Sequence, residues 1–188
     1  MAFRKKRRAF VVGSTSGGSN SDITAVFGNP PGPTGSASND ATSRSRTPFL
    51  ATGAGKGLVR VTFKAASGSA LTVDNAAVGV WDGVAAKADT LLTPIELLFA
   101  GVSGFALGAG AQIISDWAVV AGMTRGVSLV VVVDYGAANG NAVAEAGQAT
   151  PAANYFHAAA NSFNTTVTPA GSTETLNVVN DFIRIEIQ

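Results

Sequence analysis

The chain has 188 residues, enough for one domain with a sizeable core, since 46% of them are hydrophobic. It contains no cysteine and one histidine, which excludes a disulfide framework, a thiolate metal site and the usual zinc ligand sets. The formal net charge of +1 conceals a division: residues 1–49 carry seven Lys/Arg against two acids, whereas residues 50–188 carry six against ten. A basic leader on a mildly acidic body predicts a leader that seeks a negative partner.

The first cluster is Arg4, Lys5, Lys6, Arg7 and Arg8. The apolar stretch behind it, Ala9–Val12, is too short for the core of a signal peptide. Residues 13–48 are dominated by Gly, Ser, Thr, Asn and Pro, a composition with too little apolar surface to offset its own ordering entropy. Two apolar beads interrupt it, Phe10-Val11-Val12 and Ile23-Thr24-Ala25-Val26-Phe27. Residues 1–48 therefore read as an extended arm, with Phe10, Val11, Ile23, Val26 and Phe27 as docking points on a neighbouring subunit. The basic cluster is compatible with a solvated tail, an anchor on an acidic protein surface, or a nucleic-acid contact. In the last case five cations would give a salt slope of roughly −4 to −5.

From residue 49 the texture changes to short β-like runs bounded by Gly, Asn, Asp and Pro. Leu58–Lys64 alternates with period two, placing Val59, Val61 and Phe63 on one face and Arg60, Thr62 and Lys64 on the other. Leu71–Val73 leads through Asp74-Asn75 to Ala76–Trp81. Pro94–Phe99 precedes a turn at Ala100-Gly101, and Phe105–Leu107 and Gln112–Ile114 flank Gly108-Ala109-Gly110. Asp116–Val120 follows, then the β-branched run Val127–Tyr135, which suits a core strand and is too short to span a bilayer. Residues 137–160, broken by Gly140, Gly147 and Pro151, read mostly as loop. The chain closes on the alternating run Phe182–Ile187. Short strands punctuated by turns predict an all-β fold, an antiparallel sandwich or barrel over residues 49–188.

The order of features over Gly57–Tyr135 resembles a known module. It rests on Val59–Phe63, Leu71–Val73, Ala77–Gly79, Ile95–Gly101, Leu107–Trp117 and Val127–Val133, with Ala109-Gly110-Ala111 followed by Ser115-Asp116 as the most specific piece. These residues are similar to the accessory, jelly-roll-like β-sandwich domain of some SGNH/GDSL-type hydrolases, which is also found in bacteriophage virion proteins. The resemblance implies a fold and no catalysis, because the Gly-Asp-Ser and Asp-x-x-His blocks of those hydrolases do not occur here.

The remaining chemistry is sparse. A Ser-His-acid set would have to use His157, since no other imidazole exists, and no nucleophile elbow surrounds a serine. An oxygen-lined calcium site at Asp74-Asn75 or Asp134 lacks the EF-hand pattern, and Asx residues are common at turns in any case. Gly53–Gly57 lacks the P-loop spacing. No enzyme activity, cofactor, metal or membrane partner is expected.

Trp81 and Trp117 are candidate stacking platforms for a glycan, although a Trp in a small sandwich is more often core or interface. Three functions follow as expectations. The first is a virion structural protein, a capsid decoration or tail component held to other virion proteins by its arm and self-associated, as a trimer. The second is a saccharide-binding module. The third is a jelly-roll capsid protein whose arm meets nucleic acid.

Overall fold

A computed structural model describes residues 24–28, 35–39, 44–50, 57–65, 68–84, 89–124, 127–136, 139–146, 154–157, 166–167, 173–175, 178–180 and 182–188. These residues form strands in antiparallel sheets, and no helix occurs among them. The first nine strands are β1 (Thr24–Gly28), β2 (Gly35–Asn39), β3 (Arg44–Leu50), β4 (Leu58–Lys64), β5 (Leu71–Val80), β6 (Ile95–Glu96), β7 (Leu98–Phe99), β8 (Val102–Ser103) and β9 (Phe105–Leu107). They are followed by β10 (Gln112–Ile114), β11 (Ala118–Val119), β12 (Ser128–Tyr135), β13 (Asn139–Ala146), β14 (Asn154–His157), β15 (Thr173–Thr175), β16 (Val178–Asn180) and β17 (Phe182–Ile187).

One sheet runs β1-β17-β4-β10, with β11 also on β4. A second runs β15-β14-β3-β12-β5-β6, with β9 also on β5. A third joins β16, β13 and β2, and β7 pairs with β8 as a hairpin.

The core follows from the period-two pattern. Val59, Val61 and Phe63 of β4 are fully buried, while Arg60, Thr62 and Lys64 are partly exposed on the opposite face. One apolar cluster takes side chains from both large sheets: Val61 and Ile185 on one side, for example, and Val78 and Val131 on the other. Strand β12 is buried on both faces, because Val130 and Val132 form a second small cluster with Ala77. This double burial explains its unbroken β-branched sequence. Two strands, β13 and β14, run within residues 137–160, where the composition predicted mostly loop. Their ladders come from distant partners, β2 and β16 for β13, β3 and β15 for β14.

The segment between β6 and β9 connects the two large sheets. The Leu97 N–H donates to the Ala76 carbonyl on β5, and the Leu98 carbonyl accepts the Asp116 N–H between β10 and β11 (both 2.8 Å). Leu97 and Phe99 face inward and are buried. Phe99 of the hairpin, Phe63 of β4 and Phe105 of β9 form a mutual trio, with centroids 5.6, 5.2 and 4.6 Å apart in tilted or edge-on geometry. Such pairs contribute about 0.5–1.5 kcal/mol each beyond the area they bury.

Backbone geometry fixes the hairpin on either side. Gly104 has φ +66°, and a Cβ there would run into the Val73 and Asp74 carbonyl oxygens. The tip residues Ala100 and Gly101 have φ of 54° and 80°, the two positive values that a two-residue type I′ turn requires.

Two outcomes are expected in urea unfolding. Phe99→Ala should cost ~3–5 kcal/mol, as a large aromatic removed from a core does. Ala100→Asn should raise stability by ~0.5–1 kcal/mol, because Asn tolerates the left-handed region that an alanine occupies at a cost.

Candidate functional site

The outer face of the five-stranded sheet is organised around an irregularity in its edge. Strand β10 pairs with β4 as far as Ile114↔Thr62, and β11 resumes at Ala118↔Val59, so three residues, 115–117, face two, 60 and 61. Ser115 turns inward and completes the ladder. Its N–H donates to the Val61 carbonyl at 2.9 Å, while its hydroxyl accepts the Val61 N–H at 3.0 Å and donates to the Asp116 carbonyl at 2.9 Å. Asp116 is left exposed and Trp117 half-buried.

Trp117 meets Arg60, whose guanidinium carbon lies 4.5 Å from the ring centroid. Arg60 Nε also donates to Glu186 Oε2 on the neighbouring strand, in the directly opposed register position. The Arg60 side chain keeps 28% exposure and that of Glu186 only 8%. The acid is thus largely withdrawn from water, and the cation beside it offsets that cost. One face of the Trp117 indole is occupied by this cation, which reduces its capacity as a platform for a sugar ring.

Trp81 belongs to the other large sheet. It follows β5, bridges to Thr90, donates its N–H to the Ser128 carbonyl at 2.8 Å and packs on Ala77, Val130 and Val132. The structure therefore does not bring the two tryptophans into one binding face: each serves a different sheet.

The arm residues Arg4, Lys5, Lys6, Arg7, Arg8, Phe10, Val11 and Ile23 lie outside the described residues. Val26 and Phe27 stand in β1, at the end of the five-stranded sheet, where Phe27 is in register with Ile185 and the ladder shifts at Val26. Two further strands, β2 and β3, come from residues 35–39 and 44–50. His157 lies on β14 in register with Arg44 of β3, which is in turn in register with the buried Asp134 of β12. Among the described residues no group of three His, Asp or Glu side chains could hold a metal ion.

The surface least anticipated from sequence lies around the hairpin. Two carboxylates border it. Asp116 Oδ2 accepts the Gly101 N–H at 2.7 Å and Glu96 Oε1 accepts the Ser103 hydroxyl at 2.6 Å, while the Asp74 main chain closes on Gly104. Among them stand aliphatic side chains open to solvent: Leu98 (36% exposed), Val102 (65%), Ile114 (42%) and Val119 (68%). The sequence placed Leu98 in the β-like run Pro94–Phe99 and gave no role to Val102. A usable signal existed in the absence of any Lys or Arg from residue 88 to residue 124.

No protein-family model matches the chain, and no curated protein matches it.

Ser115→Ala should cost about 1–3 kcal/mol in chemical denaturation, because the buried Val61 N–H loses its acceptor. Ser115→Thr, which keeps the hydroxyl, should recover part of the loss in the same measurement.

Proposed function

We propose that this chain is a structural component of a bacteriophage-type virion, a jelly-roll-like β-sandwich that works through its surface and is held in an assembly by its basic leader. The observation that carries this reading is the acid-rimmed aliphatic edge of the body, combined with a leader of the opposite character in the same chain. The edge offers exposed Leu98, Ile114 and Val119 beside Glu96 and Asp116, with exposed Val102 on the other face of the hairpin, in register with Phe99. The leader offers Arg4–Arg8 followed by Phe10-Val11-Val12. Apolar side chains gathered at one edge mark an interaction surface more often than isolated ones do.

The core shared between two antiparallel sheets supports the sandwich reading, and the resemblance over Gly57–Tyr135 supports the virion setting. In this account the partners are other virion proteins and further copies of the chain. Charge on the leader steers encounter, and the apolar residues behind it supply the contact area. The saccharide-binding reading draws less from the geometry, since Trp117 is already stacked on Arg60 and Trp81 packs on the β5–β12 face.

Deletion of residues 1–12 leaves every described strand intact and tests the anchoring role directly. Incorporation of the truncated chain into particles is expected to fall at least tenfold while its urea midpoint stays unchanged. Undiminished incorporation would reject the anchor.

A further inference from the structure

The leader needs a receptor, and the receptor can be sought on the chain itself. Among residues with described side chains the cations are Arg60 and Lys64, both on β4, and Arg60 is already engaged by Glu186. The stretch from residue 88 to residue 124 carries only acidic charge, and two of its carboxylates, Glu96 and Asp116, border the β7–β8 hairpin. The exposed aliphatic side chains of Leu98, Val102, Ile114 and Val119 belong to the hairpin and to the adjacent β10–β11 edge.

That edge also has strand capacity to spare. β10 and β11 occupy the end of their sheet, and across residues 112–119 the one main-chain to main-chain bond toward the hairpin among those described runs from the Asp116 N–H to the Leu98 carbonyl, beside the Gly101 N–H bond to the Asp116 carboxylate. An extended peptide lying there would find main-chain donors and acceptors, aliphatic contacts and carboxylates together.

The segment Arg4–Val12 has the complementary order: five consecutive cations, one alanine, then Phe10-Val11-Val12. We infer that the β10–β11 edge with the β7–β8 hairpin is the receptor for residues 4–12 of a second copy of this chain. Phe10 and Val12 lie against Leu98, Ile114 and Val119, and the preceding cations meet Glu96 and Asp116. This inference rests on the anchoring role of the leader and names the surface to which the leader attaches. It makes the contact heterologous, one copy's leader on the next copy's edge, so that a closed ring or a continuing array results.

The absence of cysteine gives a clean test. Phe10→Cys is placed in one batch of full-length chain, and Val119→Cys or, as control, Val84→Cys in another. Val84 is exposed to 52%, comparable to the 68% of Val119, but follows Trp81 beyond the end of β5, whereas the hairpin segment is bonded to β5 at Ala76. The batches are mixed at assembling concentration and oxidised. The expected result is a disulfide-linked two-chain species that forms several-fold more with Val119→Cys than with Val84→Cys. Adding Glu96→Lys to the Val119→Cys chain should cut that yield several-fold, and raised salt should do the same.

Equal yields at positions 84 and 119 would overturn the inference, as would linkage formed only when both cysteines share one chain. The two levels separate cleanly. Loss of particle incorporation on deleting residues 1–12, without preference for position 119, removes this receptor and leaves the anchor standing. Undiminished incorporation together with no trapping at position 119 removes both.

Discussion

The contact on which the described architecture depends is the aromatic trio of Phe63, Phe99 and Phe105. Phe63 comes from a central strand of one sheet, Phe105 from an edge strand of the other, and Phe99 from the hairpin between β6 and β9. The hairpin is bonded through its main chain to both sheets, at Ala76 and at Asp116. Its inward residues thus close the apolar cluster while its outward residues become surface. Leu97 and Phe99 are buried, and Leu98 between them is exposed. Core and exposed edge are two faces of one short segment.

That coupling explains where the irregular geometry falls. Gly104 lies where the hairpin leaves β8, against the β5 main chain, and Ser115 substitutes a hydroxyl for a ladder group where the β10–β11 edge bulges. Each lets the chain serve two sheets at once. The bulge also places a carboxylate: Asp116 follows Ser115 and holds the hairpin tip through the Gly101 N–H. The carboxylate at the hairpin tip is therefore a by-product of how the edge is built, and it is one of the groups that the proposed contact with a cationic leader uses.

Much of this was legible in the sequence. Strict alternation identified β4 and β17, and the β-branched run identified β12, because burial on one or both faces writes itself directly into residue type. Other parts were hidden for physical reasons. Asp74-Asn75 reads as a turn, yet β5 continues through it as a bulge, with the register shifting between Asp134 and Tyr135. Pro94–Phe99 reads as one strand but is divided at Leu97, whose bond to Ala76 and neighbours' bonds to β10–β11 split the run between two sheets. Strand β13 carries Ala, Asn and Gly, and β14 is only the four residues Asn154–His157 within an Ala-rich stretch; both take their pairing from distant segments, so the local signal was weak. The stacking of Arg60 on Trp117 depends on a one-residue bulge, which no spacing rule discloses.

Among the described residues the distinctive feature is an exposed edge whose chemistry, in the proposed reading, mirrors the chain's own leader. Amide hydrogen exchange on the assembled full-length chain, compared with the same chain lacking residues 1–12, tests that correspondence most directly. Peptides covering residues 95–119 should gain protection with rising concentration of the full-length chain and lose that gain when the leader is removed. Exchange over 95–119 that is indifferent to both concentration and the leader would contradict the account.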